Sequence, residues 1–311
     1  MKKIIIDTDP GIDDALALCY AFAHPDLDII ALTSIFGNVS SSLAADNALR
    51  LCELTGIEIP VAPGADKPLQ ITPNKHADFV HGANGFGNID IPLGKRHPLT
   101  QSAADLIIEK VQQHPGEITI IAVGPLTNLA VALQAAPEIV DKVKEVIIMG
   151  GVFYRSGNVS PYAEANIWND PHAAQEVLTA DWPVVIHGLD ITYQIAFQRP
   201  FFDQLAKANP KTGGFLRDAA DFYINFYQQQ NNFSGCCPHD HLAIAYASNP
   251  QWFHLEDAAF DVIVSGEEIG RTLNTLKDDT SQSTGNKKIA LTVDSDALLA
   301  DYLQTLSLQG E

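Results

Sequence analysis

Four carboxylates crowd one short segment, Asp7-Thr8-Asp9-Pro10-Gly11-Ile12-Asp13-Asp14. In a poorly solvated cleft such charges repel strongly, and a bound cation relieves the repulsion. Oxygen-only ligands favour a hard ion such as Ca²⁺ or Mg²⁺. Helix capping explains one or two of the four, because acids suit an N-cap and a first helical turn. It does not explain Asp7 and Asp9, which sit two apart at a strand end and should share a face.

The elements that must position these groups follow from the flanking residues. Ile4-Ile5-Ile6 reads as a buried strand, and 13–23 (DDALALCYAFA) as an amphipathic helix. The acids therefore lie where a strand ends and a helix begins, the usual ligand position of an open α/β sheet. Strands are expected at 3–7, 28–34, 117–123, 145–149 and 183–188, with later ones at 260–265 and 288–293. Helices are expected at 42–55, 102–113, 126–134 and 171–179. This alternation predicts an open, mostly parallel sheet with helices on both faces, a Rossmann-like core. No internal repeat or linker divides the chain, so 1–311 reads as a single domain. Residues 72–96 and 210–238 read as long connections of the kind that often form lids; the second contains a helix-like aromatic stretch and a Gln/Asn tract at 228–232.

Composition narrows the partners. The net charge of −19 opposes non-specific binding to nucleic acid or an anionic membrane. No run of about 18 apolar residues suggests a span, and the short apolar start ends in acids, unlike a signal peptide. The expectation is a soluble, cytoplasmic protein. Adjacent Cys236-Cys237 would make a strained disulfide, so reduced thiols are expected, and no cysteine spacing resembles a zinc site.

Further motifs follow in order: Phe36-Gly37-Asn38, His81-Gly82, Gly124-Pro125-Leu126-Thr127-Asn128, Ile148-Met149-Gly150-Gly151, Glu164-Ala165-Asn166-Ile167 and His239-Asp240. Together with Asp7–Ala15 they resemble the inosine–uridine-preferring nucleoside hydrolases from about residue 3 to at least 265. The resemblance implies a bound Ca²⁺ and hydrolysis of the N-glycosidic bond of ribonucleosides, giving ribose and a free base. It implies metal ligation by Asp9, Asp14, Asp240 and the main-chain oxygen of Val123. Asp13, Asn158, Glu164 and Asn166 would hold sugar hydroxyls, and Asn38 the water or the sugar. His81, Met149 and Tyr227 complete the implied substrate contacts, and a homodimer or homotetramer is implied.

The chemistry suits these residue types. Breaking a glycosidic C–N bond puts positive charge on the ribose, which carboxylates stabilise. A cation-bound water is more acidic, and Asp9 would take its proton. His239 would protonate the departing base; the alternative is that it merely orients Asp240, and His241 competes for the role. Glu164 and Asn166 would share a face if the segment were extended. Ala165 stands where relatives often carry Phe, and the 82–85 and 236–238 segments are also unusual, which bears on base choice. Two rival readings are a haloacid-dehalogenase-like Mg²⁺ phosphatase with Asp7 as nucleophile, and a non-catalytic nucleoside-binding protein.

Overall fold

The computed structural model describes residues 1–231, 233–277 and 285–308. Asn232 of the Gln/Asn tract and residues 278–284 and 309–311 of the expected domain lie outside the described residues. Ten strands are described: β1 (Lys2–Thr8), β2 (Leu27–Ser34), β3 (Val61–Ala62), β4 (Ile118–Ala122), β5 (Glu145–Met149), β6 (Val184–His187), β7 (Phe253–Asp257), β8 (Phe260–Val262), β9 (Thr272–Asn274) and β10 (Lys287–Val293). The α-helices are α1 (Ile12–Ala23), α2 (Ser41–Thr55), α3 (Asp78–His81), α4 (Ala103–Gln113), α5 (Thr127–Ala135), α6 (Ala165–Asn169), α7 (Pro171–Thr179), α8 (Leu189–Thr192), α9 (Arg199–Ala208), α10 (Thr212–Asn231), α11 (His239–Ser248) and α12 (Ser295–Ser307).

Eight strands form one sheet in the order β3-β2-β1-β4-β5-β6-β10-β7. Every pairing is parallel except β10 with β7, which closes one edge antiparallel. The period-2 alternation of buried strands sorts their side chains between two cores. Ile4 and Ile6 join one core with Ala17 of α1, Leu49 of α2, Leu216 of α10, Leu242 of α11 and Leu298 of α12. Ile5 faces the other core with Leu106 of α4, Leu129 of α5 and Val177 of α7. The sheet is thus buried on both faces, which explains the uninterrupted apolar runs of β1, β4 and β5.

The chain order reverses between β1 and β4, so their carboxyl ends flank a crevice, the switch point of a doubly wound sheet. Main-chain bonds fix its walls: Val123 N–H donates to Asp7 O at 2.9 Å, and Ile35 N–H to Thr8 O at 3.0 Å.

Three expectations change. The 260–265 strand is only Phe260–Val262, paired antiparallel with β9 in a separate two-stranded sheet. Most of 210–238 is the 20-residue helix α10, which lays an aromatic face toward the crevice. The 72–96 connection contains α3, and its His81 and Phe86 are buried. Among the described residues no helix is long and apolar enough to cross a membrane. All four cysteines are buried and unbridged.

Candidate active site

A cavity of about 680 Å³ opens at the switch point. Asp13 and Asp240 line its floor, and Asp14 and Asp9 lie behind them without lining it. Each of Asp13, Asp14 and Asp240 offers a carboxylate oxygen within 4.8 Å of the others, and all three side chains are buried. Two come from the first turn of α1 and one from the first turn of α11. Helix N-termini tolerate acids, which is why the sequence can place them there.

Asp14 is held by its own loop. Thr8 Oγ1 donates to its Oδ1, Gly11 N–H to its Oδ2 at 2.9 Å, and Asn38 Nδ2 to its Oδ2 at 3.1 Å. Asp9 receives Asn38 N–H at 2.6 Å on Oδ2, while its Oδ1 is buried without a partner among the described residues. Two glycines make room for this side chain: a Cβ at Gly37 would stand 2.0 Å from Asp9 Oδ2, and one at Gly124 would stand 2.7 Å from Oδ1. Asp13 Oδ1 is likewise buried and unpartnered, and its Oδ2 accepts a long bond from Tyr223 Oη at 3.4 Å.

The electrostatics match this crowding. Burial pushes the Asp13 carboxyl up to about 6. Burial, then Asp14, raises Asp9 well above the ordinary range. Burial and the adjacent Asp13 raise Asp14. Asp240 is raised by burial and then by Asp13, Asp14 and Asp9. Groups so placed disfavour their own ionisation. An all-oxygen donor set with unsatisfied buried lone pairs fits a hard divalent cation. Val123 lines the same cavity, and its carbonyl accepts Asn166 Nδ2 at 2.8 Å, which leaves a second lone pair free.

Asp7 is separate. Its Oδ1 accepts Thr33 Oγ1 and Asn128 Nδ2, and it does not line the cavity. Asp7 and Asp9 are expected to share one face; β1 ends at Thr8, so Asp9 lies beyond the strand, and the two carboxylates have different partners, Thr33 and Asn128 for Asp7 and Asn38 for Asp9. A buried carboxylate turned toward β2 and α5 cannot serve as the nucleophile that the phosphatase reading requires.

The polar wall comes from the loop after β5. Glu164 is the N-cap of α6 rather than part of an extended segment. Its Oε1 accepts Asn166 N–H, and its Oε2 accepts Gly151 and Ile167 N–H. Burial outweighs these bonds and pushes its carboxyl up to about 7. Asn166 Nδ2 is occupied by the carbonyls of Val123 and Met149. Asn166 Oδ1 has no partner among the described residues and remains an acceptor. Asn158 Oδ1 accepts Ala165 N–H at 3.0 Å, which leaves its Nδ2 as a donor. Met149 and Ala165 line the same cavity.

The opposite wall is aromatic. His239 Nε2 lies 2.7 Å from Tyr227 Oη and its Nδ1 lies 2.7 Å from Thr192 Oγ1. Burial, with help from His81 and Arg155, pushes His239 down to about 3, so the resting ring is neutral. His81 Nδ1 accepts Ile12 N–H at 3.2 Å, and burial lowers this ring to about 4. That acceptor role also leaves Nδ1 without a proton for Asp13, 3.8 Å away. His241 is elsewhere. Two residues along a helix turn it away from His239, and it packs edge-on against Tyr20 and Tyr302. Sequence reasoning missed Thr8 and Thr192, which orient Asp14 and His239, and also Tyr193 and Arg155 on the rim. Only Thr8 carried a signal, as part of the acidic segment.

The model of the inosine-uridine preferring nucleoside hydrolase family matches residues 4–300. A probable uridine nucleosidase 1 from Oryza sativa subsp. japonica is 41% identical over 272 residues, covering 87% of this chain and 84% of its own length. Among solved structures, a plant nucleoside hydrolase superposes with a TM-score of 0.94 at 38% identity, covering 98% of this chain and 99% of its own. A purine-preferring ribonucleoside hydrolase from Gardnerella vaginalis gives 0.95 at 34% identity, covering 99% of each chain.

Proposed function

The chain belongs to the inosine-uridine preferring nucleoside hydrolase family and hydrolyses the N-glycosidic bond of ribonucleosides, and we propose that it does so with one Ca²⁺ on the acidic floor of the crevice. The observation that carries the metal is the group Asp13, Asp14 and Asp240 within 4.8 Å, beside the unpartnered oxygens of Asp9 and Asp13. Asp14 and Asp240 of that group are proposed ligands together with the Val123 carbonyl and Asp9, which lies outside the group but whose charge acts on Asp240, and Asp13 is left to the sugar. A cation there would hold two vicinal ribose hydroxyls and make a nearby water more acidic.

The protein's own groups do the rest. Asp9, gripped by Asn38, accepts the proton of the attacking water. Asp13 accepts from one sugar hydroxyl, Asn166 Oδ1 from another, and Asn158 Nδ2 donates to a third. Glu164, fixed by three backbone N–H groups, places its carboxyl beside the sugar as positive charge develops on the ring. The electrons of the C1′–N bond pass to the base, which takes a proton from the imidazolium form of His239 and leaves the ring neutral. Burial keeps His239 neutral at rest, so the imidazolium forms by taking a proton from solvent as the negative charge growing on the base offsets that burial. His81 and Met149 border the base and the sugar.

The rest of the proposal is a single domain over 1–311, a cytoplasmic homodimer or homotetramer, and no nucleic-acid partner. The test strips the enzyme with a chelator, titrates calcium by calorimetry and follows free base released from uridine and inosine. One Ca²⁺ per chain, with activity returning in step, is expected. Full turnover in protein shown to be metal-free would overturn the metal assignment.

A further inference from the structure

The cavity floor is anionic, yet one strong cation stands on its rim. Arg155 is the one lysine or arginine among the described residues that line the cavity. Its placement is built. Just before it, Phe153 and Tyr154 N–H donate to the two carboxylate oxygens of Asp190 at 2.9 and 2.8 Å, and Val152 N–H donates to Thr272 Oγ1. The guanidinium lies 4.1 Å from the centroid of the Tyr193 ring, and Nη1 donates to Leu189 O at 3.3 Å. It makes no ion pair with a carboxylate among the described residues. Most of its five donors are therefore uncommitted.

Its wall is the aromatic one. Tyr193, beneath Arg155, meets the His239 ring edge-on at 5.2 Å, and His239 bonds Tyr227. This inference rests on the hydrolase reading above, in which the acidic floor grips the sugar and the His239–Tyr227 pair meets the base. Tyr193 joins that pair to Arg155, which is exposed and is the cationic side chain among the exposed lining residues, the others being Phe79, Ser156, Asn158, Val159 and Gln230.

We propose that Arg155 is a specificity residue that donates to the exocyclic oxygen on the far edge of an oxo-base, the 6-oxygen of a hypoxanthine-type purine or the 4-oxygen of a uracil-type pyrimidine. That oxygen gains negative charge as the base departs, and a charged donor on it favours oxo-bases over rings that lack it.

The test compares matched pairs that differ at that oxygen and in the proton on the ring nitrogen beside it: inosine with purine riboside, and uridine with its 4-deoxy analogue. Arg155→Met keeps the stem on Tyr193 and removes the donors. The oxo-to-deoxo ratio of kcat/KM is expected to fall by roughly 10- to 100-fold in at least one pair. Arg155→Lys keeps the charge without the fork and should recover part of that ratio. Active parent enzyme with ratios that Arg155→Met leaves unchanged in both pairs overturns this inference alone. A parent enzyme that frees no base from any of the four overturns the hydrolase reading and this inference with it.

Discussion

Asp240→Asn should make the metal-free protein more stable while abolishing its response to calcium. Each pair among Asp13, Asp14 and Asp240 lies within 4.8 Å. At an effective dielectric near 20, two unit charges at that limit repel by about 3.5 kcal/mol. Neutralising Asp240 removes two of the three pairs, about 7 kcal/mol if all were ionised. The metal-free protein avoids much of this by retaining protons, so the measured gain should be about 1–3 kcal/mol at pH 8. The Asn amide can also donate to Asp14. The sign with pH follows from the raised folded values, about 6 for Asp13 against an ordinary 3.8. Such groups add stability below the unfolded pKa and lose it as pH rises through the folded one. Parent protein in chelator should therefore weaken from pH 5 to 8, and the variant less so. Calcium at 100 times its Kd should restore about 2.7 kcal/mol to the parent only. Urea unfolding at pH 5 and 8, with chelator or calcium, reads all four conditions. A variant less stable than the parent in chelator at pH 8, yet equally stabilised by calcium, would refute the reasoning.

Three other outcomes follow. Asp9→Asn keeps the shape between Gly37 and Gly124 but removes the proton acceptor; kcat should fall at least about 100-fold with little change in substrate binding, and near-normal turnover would assign the base elsewhere. His239→Ala should damage natural nucleosides far more than a p-nitrophenyl riboside, whose leaving group needs no proton; equal losses would make His239 a residue that only orients Asp240. His241 is held down to about 3 by burial, so its contribution is present above pH 6.5 and is lost as pH falls toward 3. In saturating calcium, His241→Phe should gain on the parent by about 2 kcal/mol at pH 5 relative to pH 8, and parallel pH profiles would contradict this.

Much of this was legible because apolar pattern and motif order are local. The 3–7 strand and the 13–23 helix match Lys2–Thr8 and Ile12–Ala23 within a residue or two. The switch-point position of the acids followed from them. What escaped had no local pattern. Strand β3 is two residues long, and β7 (FHLED) is a half-exposed edge without an apolar run. Phe260–Val262 carries the right residues but pairs outside the main sheet, a matter of tertiary packing. Glu164 and Asn166 would share a face only on an extended segment. Instead Glu164 caps α6, so its carboxylate binds the very backbone that presents Asn166.

Site detail was less legible than site membership. The acidic segment announced four carboxylates, yet only the fold could show that Asp7 turns to Thr33 and Asn128 and away from the others. His239 and His241 are equivalent by composition, and helix geometry alone separates them. Arg155 sits in a loop, three residues before Asn158, and its relation to Tyr193 and His239 spans some 40 to 80 residues of sequence that no motif bridges.

In the proposed site, the buried carboxylates and a cation grip the vicinal hydroxyls of a ribose. The most direct measurement is kcat/KM for uridine against 2′-deoxyuridine in calcium-loaded enzyme. A site built to pair a hydroxyl discriminates strongly when it is missing, so the ribonucleoside should be preferred by up to about 10⁴. Equal values for the two would contradict the grip on the sugar, and with it the roles given to Asp13 and the metal.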